Sequence, residues 1–430
     1  MKRVGIISLG CAKNLVDSEN ILGLLDHDKY QIVNSVEESD IVIINTCGFI
    51  NPSKKESIDT IFEILAQSKK VVVTGCLVER YEEEIRKEIP EISLIIPIRE
   101  YYRFNELFAT LDDELKEKGG VDDKYRIIST GPFSAYLKIG EGCSNCCSYC
   151  AIPLIRGPFV SRPFFDIVDE AKSLAKQGYK EIVVLQQDTT KYGIDLHHGE
   201  NIASLLKELL KIEELEYIRL LYLYPDEITD ELIDLIAKEN KRLTTYFDVP
   251  IQHSEDKILS SMNRRGTKQD LINLFSKIRN KVPHAILRTT VMVGFPGESD
   301  EDFANLLKFI EEIKFDHLGA FTYSREEDTP AYDYPNQVDE KVKKQRLDQL
   351  MKIQQKISYQ NNKGHIDEIM EGLIIGEKNN NYLFRSYFNA PDDVDGNIYV
   401  KKEKTYKLGE KVKVKILKAY VYDLYGEIIE

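Results

Sequence analysis

Eight residues constrain this chain more than any others: Cys143-Ser144-Asn145-Cys146-Cys147-Ser148-Tyr149-Cys150 hold four of its seven cysteines. Cys143, Cys147 and Cys150 are separated by three and then two residues, a spacing that one tight loop can wrap around a single iron–sulfur cube. Cluster irons are held by cysteine thiolates, ordinarily four for a 4Fe–4S unit. Three cysteines leave one iron without a protein ligand, and an open metal position is where chemistry takes place. Zinc is the competing reading, yet zinc sites usually pair two short Cys/His motifs roughly a dozen or more residues apart. The ferredoxin run C-x-x-C-x-x-C does not fit, because Cys146 and Cys147 are adjacent. Cys146 leaves the register open on paper. Adjacent thiolates serve one cluster poorly, so it is read as lying outside the ligand set.

The other three cysteines each end a short apolar run: Val4 to Cys11, Ile41 to Cys47 and Val71 to Cys76. Unbroken Val/Ile runs read as strands buried on both faces of a parallel sheet. Helical patterns lie between them, at Asp17 to Leu25 and Pro52 to Ala66, which gives a doubly wound α/β layer. Ligands of such sheets gather at the carboxyl ends of the strands, where all three cysteines fall. The plain alternative is three buried core cysteines, since free Cys is often buried. The equivalent positions favour a second three-cysteine cluster, and Gly10 and Gly75 suit turns that bring backbone close to it. An acidic stretch from Glu79 to Glu91 and another from Leu107 to Asp123 read as surface helix running into a linker, with the boundary at Asp112 to Asp123.

From about residue 129, strands expected at Glu181–Leu185, Ile218–Leu223, Thr245–Val249, Ala285–Val291 and His317–Phe321 alternate with helical patterns. That repetition is barrel-like, and catalytic groups in such barrels belong at the carboxyl ends of strands. Gln186 to Gly193, Pro250 to His253 and Gly294 to Glu298 follow three of these strands. Arg156 and Arg288 are candidates for bidentate pairing with a carboxylate. His253 fits a turn cap as well as a substrate contact. From about residue 360, short alternating runs separated by Asn/Asp/Gly turns predict a small closed antiparallel β-barrel. Its eleven Lys and Arg against twelve Asp and Glu give a net charge of −1. A barrel that grips RNA should carry a basic surplus instead.

At 430 residues the chain has room for about three domains. No apolar run approaches the roughly 20 residues of a membrane span, and the N-terminus lacks a signal-peptide pattern. Seven cysteines without secretory features point to a reducing cytoplasm and to metal rather than disulfides. A net charge of −14 favours a basic partner.

The CxxxCxxC spacing with Tyr149 before the last cysteine resembles the radical S-adenosylmethionine (SAM) signature. Cys11-Ala12-Lys13-Asn14 with Asp17-Ser18-Glu19 resembles the opening of the methylthiotransferase family within it. The resemblance implies three domains: an N-terminal α/β domain (residues 1–118), a partial (β/α) radical SAM barrel (129–359) and a C-terminal TRAM barrel (360–430). It also implies two 4Fe–4S clusters. Cys143, Cys147 and Cys150 would hold the one that binds and cleaves SAM to give a deoxyadenosyl radical. Cys11, Cys47 and Cys76 would hold the one that presents sulfur. Tyr149, Ile152, Arg156, Gln187, Asp188, Arg288 and Gly294 are the positions expected to contact SAM. Two branches of the family compete. One modifies an adenosine of transfer RNA; the other modifies the β-carbon of an aspartate on small-subunit ribosomal protein twelve. Ser8 to Glu19, Gln187 to Gly193 and Arg385-Ser386 with Ala390-Pro391 and Val394-Asp395-Gly396 side with the second, although that branch usually has Pro at the place of Ala12. The implied partners are a basic ribosomal protein, free or on the ribosome, and a reductant such as flavodoxin or ferredoxin, with no membrane and with transfer RNA as the less favoured alternative. A non-catalytic iron–sulfur carrier or redox sensor would need the clusters without the SAM pocket.

Overall fold

A computed structural model describes residues 1–112, 126–391 and 394–429. The expected linker from residue 113 onward, with Gly119-Gly120, lies outside them, as do Asp392 and Asp393. The N-terminal domain is a five-stranded, all-parallel sheet of β1 (Lys2–Ser8), β2 (Tyr30–Ile32), β3 (Ile41–Thr46), β4 (Lys70–Gly75) and β5 (Leu94–Ile96), in the order β2-β1-β3-β4-β5. Helix α1 (Ala12–Leu24) and the short α4 (Phe104–Ala109) bury Ile21, Leu22, Phe104 and Phe108 against one face. Helices α2 (Asn51–Leu65) and α3 (Cys76–Glu88) bury Ile61, Ile64, Leu77 and Ile85 against the other. Every residue of β3 is buried, as expected of a central parallel strand covered on both sides. The two outer strands, three residues each, carry no run long enough to read from sequence.

The core domain begins with β6 (Ser134–Lys138) and a small ribbon of β7 (Gly140–Glu141) with β8 (Val160–Ser161), which brackets the cysteine octet and α5 (Ile152–Arg156). Beyond it come α6 (Phe164–Lys176), β9 (Glu181–Leu185), α7 (Ile202–Leu209), β10 (Tyr217–Leu220), α8 (Asp230–Lys238) and β11 (Tyr246–Asp248). Next follow α9 (Asp256–Ser261), α10 (Lys268–Lys281), β12 (Ile286–Val293), α11 (Asp300–Ile313) and β13 (His317–Thr322). Strands β6-β9-β10 and β11-β12-β13 form two parallel sheets, joined by a parallel bridge between Ile218 and Leu243 and by a hydrogen bond from Leu223 N to Asp248 O (2.8 Å). This is an open (β/α) barrel. Capping boxes start α10 (Thr267 with Asp270) and α11 (Ser299 with Asp302), so the sequence marks these helix starts locally.

Helix α12 (Glu340–Gly364) spans the expected boundary at 359/360, so the C-terminal barrel starts only at β14 (Ile369–Lys378). It continues through β15 (Asn381–Arg385), β16 (Ile398–Lys401), β17 (Lys411–Ala419) and β18 (Leu424–Ile428), and closes in the order β14-β15-β16-β18-β17. The expected barrel is antiparallel throughout; in the structure β16 and β18 pair parallel. An odd number of strands cannot alternate direction all the way round, so a five-stranded closure must contain such a pair.

The domains share surfaces. The inner face of the core sheet, with Tyr136, Leu185, Leu221 and Tyr246, joins one apolar cluster with Ala12 and Val16 of α1 and with Phe388 and Ala390 of the C-terminal barrel.

Candidate iron–sulfur and SAM site

Strands β1, β3 and β4 are neighbours in the sheet, with Ser8 opposite Asn45 and Thr46 opposite Gly75. Cys11, Cys47 and Cys76 therefore leave three adjacent strands at the same edge. Cys11 is the N-cap of α1 and Cys76 the first residue of α3, so both sit at helix starts rather than in simple turns. Gly10 has a φ of +91°, and a Cβ there would lie 2.9 Å from Cys47 Sγ. No larger residue leaves the loop so close to that thiol. The backbone around Cys47 is fixed by Ser57, whose hydroxyl accepts from Cys47 N (3.0 Å) and donates to Cys47 O (2.9 Å). Asn14 ties the strand ends together, its Nδ2 donating to Leu9 O and Thr46 O at 2.9 Å each.

The thiols of this trio act on one another electrostatically. Burial raises Cys76 to about 11, with Cys11 and Cys47 adding to the rise and Arg156 opposing it. Burial raises Cys47 as well. Without a metal these groups stay protonated; ligation to iron is what would make thiolates of them. Among the described residues, no three His, Cys, Asp or Glu side chains converge tightly enough to chelate one metal ion. Each thiolate of a cluster takes its own corner iron, so thiols that neighbour one another without converging suit a cube better than a lone ion. The all-sulfur donor set fits the same group.

The second trio lies on the loop between β7 and α5. Cys147 is buried, and Cys143 and Cys150 are half-buried. Cys150 N donates to Cys147 O (3.0 Å), and Ile152 N donates to Cys150 Sγ (3.5 Å), so the first turn of α5 wraps the Cys150 thiol. Burial pushes the Cys143 and Cys150 thiols up. Cys146 is exposed, with a left-handed φ of +51° that separates it from Cys147, and its carbonyl accepts from Asn263 Nδ2 (2.8 Å). Two residues that the sequence reading missed stand beside Cys147. Tyr224 OH is 3.8 Å from its sulfur, and Arg264 Nη1 is 3.9 Å from it and 3.4 Å from Tyr149 OH. The Arg264 guanidinium also stacks on the Tyr224 ring at 4.2 Å. An arginine some 115 residues beyond the octet carries no local signal of this role.

The remaining expected contacts divide. Tyr149 lies in the loop, edge-on to Phe295. Asp188 reaches the octet, accepting from Asn145 Nδ2 (2.7 Å), while Gln187 Nε2 donates to Glu141 (2.9 Å) at the end of β7, two residues before it. Lys191 holds the other end of the Asn145 amide. Gln186, between this group and β9, is fully buried with neither amide atom hydrogen-bonded.

Three of the expected SAM contacts have other partners in the structure. Arg156 does not offer its guanidinium to a ligand; it crosses to the N-terminal domain, binding Asp17 (2.6 Å), the Asn14 side chain and Cys76 Sγ (3.5 Å). Arg288 lies five residues before the carboxyl end of β12, roughly 16 Å along the strand. It pairs with Asp248 (2.7 Å) and with Asp395 of the C-terminal barrel (3.5 Å). Gly294 serves packing, since a Cβ there would fall 2.3 Å from Lys343 Cγ of α12. His253 caps a turn, its Nδ1 accepting from Glu255 N (3.0 Å).

Comparison with known proteins adds three family matches: residues 3–97 to the uncharacterized protein family UPF0004, 137–310 to the radical SAM superfamily and 366–429 to the TRAM domain. The chain is 47% identical to the ribosomal protein uS12 methylthiotransferase RimO of Clostridioides difficile (strain 630), over 100% of this chain and 99% of that one. It is 46% identical to the protein of the same name from Alkaliphilus oremlandii (strain OhILAs), over 99% and 98%. Among solved structures it resembles the radical SAM methyltransferase TsrM from Kitasatospora setae, with a TM-score of 0.56 at 16% identity over 77% of each chain. The cobalamin-dependent SAM radical enzyme OxsB gives 0.52 at 14% identity, over 82% of this chain and 56% of that one. At such identities the two structures speak for the fold alone.

Proposed function

The chain belongs to the RimO family of ribosomal protein uS12 methylthiotransferases, radical SAM enzymes that use a 4Fe–4S cluster and SAM, and from that membership we propose how its residues divide the work. The enzyme adds a methylthio group to the β-carbon of an aspartate on uS12. Cys143, Cys147 and Cys150 hold the SAM-binding cluster; Cys11, Cys47 and Cys76 hold a second one. The observation that carries this reading is the N-terminal trio: Cys11, Cys47 and Cys76 at one edge of three adjacent strands, linked through Arg156 to the helix that follows Cys150.

When bound, the two clusters and SAM supply abstraction of hydrogen from an unactivated carbon and delivery of methylated sulfur. The chain's own groups hold and shield them. Cys47, Cys76 and Cys147 are buried, which keeps water from the ligating sulfurs. The Ile152 N–H and the Arg264 guanidinium donate toward Cys150 and Cys147 and spread the negative charge that ligated thiolates carry. Tyr149 and Ile152 would contact the SAM bound at that cluster, Asp188 fixes the octet through Asn145, and Gln187 holds Glu141 just before it. Arg156, Arg288 and Gly294, whose contacts lie elsewhere, are left out of the SAM site.

Residues 1–112 form the sulfur-delivering unit, the open barrel with α12 forms the SAM unit, and 369–429 form the TRAM unit. Ten Lys and Arg against nine Asp and Glu leave residues 369–429 close to neutral, without the basic surplus that gripping RNA calls for, which suits a protein target better. A flavodoxin- or ferredoxin-type donor supplies the electron. Seven free cysteines suit a reducing cytoplasm, and among the described residues no helix is long and apolar enough to cross a membrane.

The test offers anaerobically reconstituted enzyme, reductant and SAM to purified uS12 and, separately, to transfer RNA. A methylthiolated aspartate on uS12 and unmodified RNA is the expected result. A modified adenosine would overturn the substrate, and iron without SAM cleavage would leave a carrier or sensor.

A further inference from the structure

Arg156 ends α5, the helix that starts two residues after Cys150, yet its guanidinium works in the other domain. Nη1 donates to Asp17 Oδ2 (2.6 Å) and Glu141 Oε2 (3.1 Å); Nη2 donates to the Asn14 side chain and to Cys76 Sγ (3.5 Å). Lys138 Nζ completes the group, 2.7 Å from Asp17 and 3.4 Å from Glu141. The Arg156 side chain is 2% exposed and that of Asp17 3%. Two cations and two carboxylates thus sum to zero charge, with one cation held against a sulfur of the N-terminal trio.

We propose that Arg156 is a positioning residue that sets the reduction potential of the N-terminal cluster and ties α5 to that cluster's geometry. The proposal deepens the function above and rests on its second-cluster reading. A donor to a ligating sulfur, and a positive charge beside it, stabilise the more negative, reduced cluster and raise its potential. The quartet sets how much of that charge the cluster feels. Removing the arginine leaves the group at −1, and removing the Asp17 charge leaves it at +1, so the two changes push the potential in opposite directions. Any shift of Cys76 is passed along the guanidinium to the end of α5, four residues from Ile152, whose N–H meets Cys150.

The test uses the full chain carrying Cys143→Ala, Cys147→Ala and Cys150→Ala, so that only the N-terminal trio can hold iron. The potential is read by EPR-monitored redox titration for that parent and for R156Q, R156K and D17N built on it. A lower potential with an altered EPR signal in R156Q, a potential near the parent's in R156K, and a higher one in D17N are expected. General loosening of the fold would not move the potential in opposite directions for R156Q and D17N. Should R156Q fail to hold its cluster, the sign of the D17N shift decides. Equal potentials in all four proteins, or a downward shift in D17N, overturn the role of Arg156. A parent that binds no iron overturns the second-cluster reading itself.

Discussion

At the residue scale, the two trios differ in what each cysteine can lose. With the proposed ligand set, Cys47→Ala would remove one thiolate of the N-terminal cluster without touching the octet, so methylthiolation of uS12 should vanish while reductive cleavage of SAM continues. Product mass and the deoxyadenosine released, measured on one sample, check both halves. Wild-type methylthiolation by this variant would remove Cys47 from the ligand set. The six ligand candidates were legible because spacing and strand-end position are sequence properties. The arginines were not. A sequence shows that Arg156 and Arg288 carry charge, but their partners, Asp17 and Asp395, belong to other domains. Arg264 illustrates the reverse: nothing near it in sequence points to Cys147, and only the fold of the core brings them together.

At the scale of elements, the apolar runs that mark β3, β4 and β9 were readable because these strands are buried along their length. Helix α12 was not. Its buried positions are Lys343, Arg346, Leu350, Gln354, Ser358 and Asn362, a helical stripe made mostly of polar groups that hydrophobic periodicity does not register. The loop from β1 into α1 carries a sharp expectation. Gly10→Ala must place a Cβ 2.9 Å from Cys47 Sγ at a left-handed φ. The conformation alone costs roughly 1–2 kcal/mol, so both the thermal midpoint and the iron bound by the N-terminal trio should fall. Glu141, which shares Arg156 and Lys138 with Asp17 of α1, gives this charged group a pH dependence. Burial would raise its carboxyl, but Arg156 and Lys138 hold it down to about 2, below the ordinary 4.5. A lowered carboxylate stabilises the fold above its unfolded value and loses that contribution as pH falls toward 2. Stability measured by urea denaturation should therefore drop below about pH 4.5, and the drop should be shallower in E141Q.

At the scale of the whole molecule, the three domains are held by buried polar contacts as much as by apolar area. Asp395 is 1% exposed and meets Arg288, His317 and the Tyr246 hydroxyl, the last at 2.6 Å. Asp395→Ala strands these groups, and breaking a buried charge pair from one side costs roughly 3–5 kcal/mol. A lower melting temperature with both clusters still loaded is the expected outcome. Glu326, in the loop after β13, accepts from Asn51 N (2.9 Å) and pairs with Lys54 (2.7 Å), so α2 also fastens the N-terminal domain to the core. The order of the three domains was legible in the sequence; the seams between them were not, because each is made of single side chains far apart in the chain. The cluster assignment is tested most directly by counting iron and sulfide after anaerobic reconstitution. The wild-type chain should be compared with one carrying Cys11→Ala, Cys47→Ala and Cys76→Ala. Two 4Fe–4S clusters require about eight irons in the first and about four in the second, with methylthiolated uS12 formed by the first alone. About four irons in both proteins, or product from the variant, would contradict it.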